Sequence, residues 1–329
     1  MPTKRSPRKG SMQFWPRKRA ARPYARIRKY SNVKMECTLL GFAGYKAGML
    51  QAVISDNAPT SMTKGEEVVM PVTIIECPPL RIAAIRFYSI SNGKERVANE
   101  VLVATNDKDL ARRLSLPKES FEKKLGELGS KISEFSDVRA MVYTKPGLTG
   151  IGKKKPEVFE TGLSGTAKEK LDYLKARIGK DISVSEILSD GQNVDIHAVT
   201  KGKGIQGPVK RFGVAIRAHK SEATKRGPGS LGDWCSQGKI MYRVAHAGQM
   251  GYQLRTEYNK LILKVGKEQI SPKCGFPHYG KLRNPYVLIK GSVAGSRNRL
   301  VRLNFPIREK KKTVEGAYQL KNLIFSRNE

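Results

Sequence analysis

The chain has 329 residues, 62 of them Lys or Arg against 29 Asp or Glu, for a formal net charge of +33, and 39 % of its residues are hydrophobic. That much apolar material excludes a wholly disordered tail, and the charge points to a polyanion, because confined positive charge repels itself and a polyphosphate relieves the repulsion while releasing its own counterions. The absence of any 18-residue apolar run excludes a membrane-spanning helix, and Phe14 and Trp15 standing among basic residues exclude the apolar centre of a signal peptide.

Residues 1–34 contain Pro2, Pro7, Pro16 and Pro23 and no periodic apolar pattern, so they are expected to form a basic N-terminal extension rather than part of a core. Residues 35–329 are expected to form one β-rich body, interrupted by a helical insert over 106–190 and by a basic, glycine-rich internal extension over 201–260. Leu39–Ile54 and Val68–Cys77 are rich in apolar and β-branched residues and predict strands. Pro78-Pro79 breaks the ladder, and Leu80–Tyr88, Arg96–Thr105 and Val138–Thr144 are further strand candidates. Within the insert, Leu110 and Leu114 share a helical spacing stopped by Pro117, and Phe121 to Phe135 continue it. Thr166 and Glu169 form a capping box ahead of Leu171, Leu174 and Ile178, with Gly179 as the stop; Ser183–Leu188 predicts a third, short helix. Val194–Thr200 alternates as a strand. Regular structure then fades until Leu261–Val265, Tyr286–Lys290 and Leu300–Leu303.

The charge is partitioned along these segments. Residues 1–35 hold twelve basic side chains and no acid, residues 201–264 thirteen basic against three acidic with ten glycines, and residues 278–313 ten basic against Glu309 alone. Residues 107–137 carry seven of each sign, as solvated faces of an ordinary fold do. The two basic extensions are therefore expected to order on an anionic partner.

Catalytic and metal chemistry find little support. Cys37, Cys77, Cys235 and Cys274 are far apart, and none has a His at zinc-ligand spacing. His197 lies on an alternating strand and reads as structural or surface-exposed, while His219 and His246 lie in basic surroundings that suit phosphate contact. Gly202-Lys-Gly-Ile-Gln-Gly207 matches the dinucleotide fingerprint, but that fingerprint must open a helix within a βαβ unit, and Pro208, Gly213, Gly227, Pro228 and Gly229 are expected to deny one. No cofactor, metal, small-molecule substrate or membrane is called for.

The basic tracts differ because glycine and aromatics are interleaved with the charge: Arg and Lys neutralise phosphates, aromatics stack on unpaired bases, and Gly permits close backbone approach. One such run is an ordinary charged loop; three in one chain indicate RNA. The candidate RNA-binding residues are Trp15, Arg17, Lys18, Arg19, Arg22, Arg26 and Arg28 in the arm. In the internal extension they are Lys201, Lys203, Lys210, Arg211, His219, Lys220, Lys225, Arg226, Trp234, Arg243, His246 and Arg255, and nearer the C-terminus Arg297 and Arg299. Two competitors are an RNA-modifying enzyme with basic substrate loops, which would need a cofactor pocket, and a DNA-compacting protein, which would not need a large neutral body.

Phe14-Trp-Pro-Arg-Lys-Arg-Ala20, Gly44-Tyr-Lys-Ala-Gly-Met49, Val199-Thr-Lys-Gly-Lys-Gly204 and Ala247-Gly-Gln-Met-Gly251 resemble strings of the universal large-subunit ribosomal protein L-three family, and His278-Tyr-Gly280 and Val287–Arg302 fit its C-terminal part. The arm and the chain length resemble the archaeal version. The resemblance implies a mainly β fold with an α+β insert: a six-stranded barrel like that of translation factors, bearing a helical insert, with the arm and the internal loop running inward through large-subunit (23S) rRNA. It implies a cytoplasmic, ribosomal, non-enzymatic role in binding rRNA, supporting early assembly and contacting neighbouring large-subunit proteins. Trp234 matches a tip residue near the peptidyl transferase centre. The eukaryotic methylated His before that Trp has no counterpart in Lys225-Arg-Gly-Pro-Gly-Ser-Leu-Gly232.

Overall fold

A computed structural model describes residues 9–32, 36–103, 107–117, 121–221, 224–232, 240–268, 270–272, 274–308 and 316–325. Trp234 and Cys235 lie outside them. The chain is mainly β with a few short helices, and it divides into two compact units, Met1–Arg22 with Val199–Leu254 and Pro23–Ala198 with Arg255–Glu329.

In chain order the elements up to the unit boundary are β1 (Gly41–Asp56), β2 (Glu67–Glu76), β3 (Leu80–Ser91), β4 (Lys94–Leu102), α1 (Lys108–Ala111), α2 (Phe121–Ser130), β5 (Asp137–Thr144), β6 (Val158–Thr161), α3 (Ala167–Arg177) and β7 (Asn193–Val199). The smaller unit adds β8 (Ile205–Gln206), α4 (Pro208–Phe212) and β9 (Gly248–Gln249). The chain then completes the larger unit with β10 (Leu254–Gly266), β11 (Tyr286–Lys290), β12 (Leu300–Asn304) and β13 (Tyr318–Ile324).

In the larger unit the hydrogen-bonded order β12-β7-β10-β11-β2-β1 returns to its start, because β1 also pairs with β12, from Gly41↔Asn304 to Tyr45↔Leu300. The 16-residue length of β1 makes this possible: its first half serves β12 and its second half β13, while β2 lies along the other edge. Side chains of these strands, among them Phe42, Tyr45, Ile74, Leu288 and Val301, are buried in one apolar cluster. The same cluster takes in Ile82, Ile85, Phe87, Val138 and Val142 from a second sheet, ordered β4-β3-β5-β6. On that sheet lies α3, which buries Leu171 and Leu174 and starts where its capping box predicts, with the Thr166 backbone N–H donating to Glu169 at 3.0 Å.

Charge on the second sheet is compensated locally. Arg86 and Arg139 stand opposite one another on β3 and β5. Arg86 is bound by Glu100 at 2.9 Å and Glu160 at 3.0 Å, and Arg139 by Asp137 at 2.8 Å and Glu160 at 3.2 Å. Two cations of the body are buried outright. The Arg302 guanidinium donates to the Glu160 carbonyl at 2.8 Å and lies 4.3 Å from the Phe159 ring centroid, and the Lys46 ammonium donates to the Val293 carbonyl at 2.6 Å. Burial lowers the pKa of both.

The segment after Pro23 differs from the reading of residues 1–34 as an arm outside the core. Tyr24, Ala25 and Ile27 are buried, and the Tyr24 hydroxyl donates to the Val158 carbonyl at 2.9 Å. Four strands are absent from the sequence reading, β6 and β13 in the larger unit and β8 and β9 in the smaller; all are short or half-exposed and complete their pattern only against a neighbour already in place.

Candidate nucleic-acid interface

The smaller unit is assembled around one aromatic side chain. Phe212 is buried at the end of α4, with the Arg17 guanidinium 4.1 Å and the Arg211 guanidinium 5.1 Å from its ring centroid. The indole of Trp15 packs 5.8 Å from it, tilted, and 6.4 Å from Tyr242, edge-on. Both arginines also satisfy carbonyl groups that these irregular segments would otherwise leave unpaired. Arg17 donates to the Arg211 carbonyl at 2.7 Å. Arg211 donates to the carbonyls of His246 at 2.8 Å, Gln249 at 3.0 Å and Arg17 at 3.3 Å, and burial lowers its pKa. The backbone adds Ala20 N–H to Tyr252 O at 2.8 Å. The arm and the internal extension therefore hold each other.

Here the expectation that Pro208 and Gly213 forbid a helix is corrected. Pro208 opens α4, where a missing N–H costs nothing, and Gly213 closes it with φ +73, the left-handed cap that favours glycine. The dinucleotide reading gains nothing from this, since α4 has five residues and β8, which precedes it, pairs antiparallel with β9. Gly251 sits at φ +68 where a Cβ would also meet the Lys201 carbonyl, so that turn admits no side chain.

Around this clasp, Lys18, Arg19, Arg22, Lys201, Lys203, Lys210, His219, Lys220, Lys225, Arg226 and Arg243 are exposed, while Trp15, Arg17, Arg211 and His246 are half-buried. Arg19 leans over Tyr252 at 5.1 Å. The described residues of the smaller unit include fourteen Lys and Arg and no Asp or Glu. In the larger unit, by contrast, cations meet carboxylates directly, as in Lys170–Asp137 and Lys145–Asp181.

The remaining candidates belong to the larger unit. Arg26 and Arg28 are exposed on either side of the buried Ile27. Arg255 is half-buried on β10, Arg297 donates to the Pro277 carbonyl at 3.1 Å, and Arg299 donates to the Ser296 hydroxyl at 3.3 Å. Sequence reasoning did not separate charges that face solvent from those that tie carbonyls together. The one signal available was adjacency to an aromatic, as in Arg211-Phe212.

A family model described as Ribosomal protein L3 matches residues 1–323. The chain belongs to the ribosomal protein L3 family. It is 46 % identical over 321 residues to a protein named large ribosomal subunit protein uL3 from Pyrobaculum calidifontis, covering 94 % of each chain. Similar relatives of the same name come from Methanothermobacter thermautotrophicus, 46 % identical over 319 residues and 94 % of each chain, and Archaeoglobus fulgidus, 45 % identical over 320 residues, 94 % of this chain and 95 % of the relative. Of the strings that carried the resemblance, Phe14–Ala20 and Ala247–Gly251 fall in the clasp itself, and Gly44–Met49 in the middle of β1.

Proposed function

We propose that the chain is a structural constituent of the large ribosomal subunit that binds large-subunit rRNA chiefly through its smaller unit and performs no catalysis. The carrying observation is the concentration of positive charge in that unit: fourteen Lys and Arg with no acid among its described residues, whereas the second sheet of the larger unit binds its arginines to carboxylates. Such a surface gains by neutralising phosphates and releasing their counterions, while Trp15, Tyr242 and Tyr252 offer faces to bases. The six-strand circuit of the larger unit is read as a translation-factor-like barrel that seats the protein, with the helical insert beside it. Trp234, in the extension between Gly232 and Ile240, is assigned to a tip reaching toward the peptidyl transferase centre, and the exposed cations Lys225 and Arg226 precede it. Early assembly follows from a body that folds on its own core while its basic unit organises RNA.

Co-sedimentation with large subunits, followed by ultraviolet cross-linking and peptide mapping, tests this reading. Cross-links should concentrate in 9–22 and 199–254, with few from the compensated sheet. Absence from large subunits, or cross-links confined to β3–β6, would refute it.

A further inference from the structure

β1 pairs with β12 over its first half and with β13 over its second, and β13 has no other strand partner among the described residues. Beside it, within the larger unit, opens a cavity of about 1050 Å³. Tyr318, Gln319 and Leu320 all line it. Successive side chains of a strand point to opposite faces, so the free edge of β13 borders the cavity and offers it backbone donors and acceptors. β10 adds its residues from Asn259 to Lys264, and β11 adds Lys290. Small-molecule pockets span about 300–1,000 Å³, so there is room for one nucleotide with part of its hydration.

The lining combines positive charge, an aromatic ring and amides. Lys260, Lys264 and Lys290 are half-buried there, against one acid, Asp190, whose carboxylate already accepts the Val265 N–H at 2.6 Å. Lys260 is held by the Ser292 carbonyl at 3.0 Å and by Glu257 at 3.2 Å, but Lys264 reaches only the exposed Glu268, at 3.6 Å. Lys290 pairs with no carboxylate among the described residues; its ammonium lies 4.0 Å from the centroid of the half-buried Tyr318 ring. Asp56 feels its charge but gives its oxygens to the Ala58 N–H, Ser61 and Thr63. A phosphate therefore finds Lys264 and Lys290 available. A base finds the Tyr318 ring beside the apolar Leu261 and Leu263, with the amides of Asn193, Asn259 and Gln319 for its polar edge. An apolar ligand would leave the two ammonium groups unmatched, and a bare anion would leave the ring and the leucines unused.

We infer that the cavity between β10 and the free edge of β13 binds a single nucleotide, base and phosphate together. An unpaired nucleotide of rRNA and a free mononucleotide present the same groups. Only the rRNA source rests on the reading of the chain as a large-subunit constituent. The site itself lies wholly in the larger unit and owes nothing to the basic tracts of the smaller one.

The free full-length chain is titrated with the four ribonucleoside 5′-monophosphates, with the matching nucleosides and with inorganic phosphate, while the Leu263 and Leu320 amides are followed by NMR. At least one monophosphate should bind roughly tenfold more tightly than its nucleoside or phosphate alone. Tyr318→Leu should weaken that binding by roughly tenfold while Tyr318→Phe keeps it, and Lys264→Gln with Lys290→Gln should weaken it at least as much. Melting curves of the free variants show that they fold. Intact large subunits are then irradiated with ultraviolet light and the cross-linked peptides mapped. A Tyr318 peptide joined to one rRNA nucleotide identifies rRNA as the source, with or without monophosphate binding by the free chain; monophosphate binding with no such cross-link identifies a free nucleotide. Inorganic phosphate binding as tightly as every monophosphate would overturn the inference, and so would the absence of both monophosphate binding and cross-link. Failure of the chain to enter subunits would overturn the parent reading and leave the titration alone to decide this one, monophosphate binding upholding it and its absence overturning it.

Discussion

Arg211→Ala removes three guanidinium-to-carbonyl bonds at once, to His246, Gln249 and Arg17, and uncovers one side of the buried Phe212 ring. At a net of about 0.5–1.5 kcal/mol for each bond in a half-buried setting, the loss is about 2–4 kcal/mol, and the freed carbonyls add to it. Arg17→Ala loses the bond to the Arg211 carbonyl, a long one to the Ser11 carbonyl at 3.5 Å and a cation–π contact worth about 0.5–2 kcal/mol, so its effect is smaller. Because about 1.4 kcal/mol is a factor of ten, Arg211→Ala should speed amide exchange by roughly a hundredfold at Ala20, Gly213 and Met250, whose N–H groups donate within the unit. The measurement is native-state hydrogen exchange on the free full-length chain, with Lys210→Ala, an exposed neighbour, as the control. The clasp narrows the expectation that both basic extensions order only on RNA: amides near it should show protection in the free chain, and the exposed loops beyond should not. No protection at Ala20 and Met250 in the unsubstituted chain, or equal loss in Lys210→Ala, would refute the clasp.

Glu76→Ala should destabilise the larger unit by about 3–5 kcal/mol in chemical denaturation. The buried carboxylate accepts from Arg283 N–H and Asn284 N–H at 2.9 Å each, from Asn284 Nδ2 at 2.7 Å and from the Tyr279 hydroxyl, and all would be stranded; a loss below about 1 kcal/mol would contradict this. Burial first, and the Arg302 charge second, lower the His197 pKa to about 4, against about 6.5 in the unfolded chain. The unfolded chain thus binds more protons between these values, so the contribution of His197 is full above about pH 6.5 and lost as pH falls through about 4, a span of about 3 kcal/mol. The melting temperature should fall across that window and fall less in His197→Gln; a His197 ring titrating near its ordinary value by NMR would refute the assignment. Trp234→Ala subunits should assemble with normal occupancy but show altered tRNA binding or peptide-bond formation. Missing occupancy would make Trp234 structural, and wholly normal activity would make the tip inert.

The sequence was most legible where local signals and burial agree. β3 and β5 are rich in apolar and aromatic residues despite Arg81, Arg86 and Arg139, and α3 carries its own start and stop in Thr166, Glu169 and Gly179, so their positions follow from pattern alone. β10 begins at Leu254, seven residues before the apolar run Leu261–Val265, because its first half is half-exposed and owes its strand form to pairing rather than to composition. α4 is hidden in the sequence because Pro208 and Gly213 read singly as breakers, whereas five residues apart they are a start and a stop. For the candidate site, charge and aromatics pick out tracts but not the use of each cation: the charge of Arg302 is spent inside the core and that of Arg211 on carbonyls. Only tertiary structure sorts such cations from Lys201 or Lys225, which face solvent.

The central claim, that the concentrated positive charge of the smaller unit holds rRNA, is tested most directly by the salt dependence of binding. Affinity of the full chain for large-subunit rRNA should fall linearly on a log–log scale against salt. Replacing Lys201, Lys203, Lys225 and Arg226 together with Ala should flatten that slope by about 3, at about 0.7–0.9 for each lost phosphate contact. A slope unchanged by these four substitutions would contradict the account.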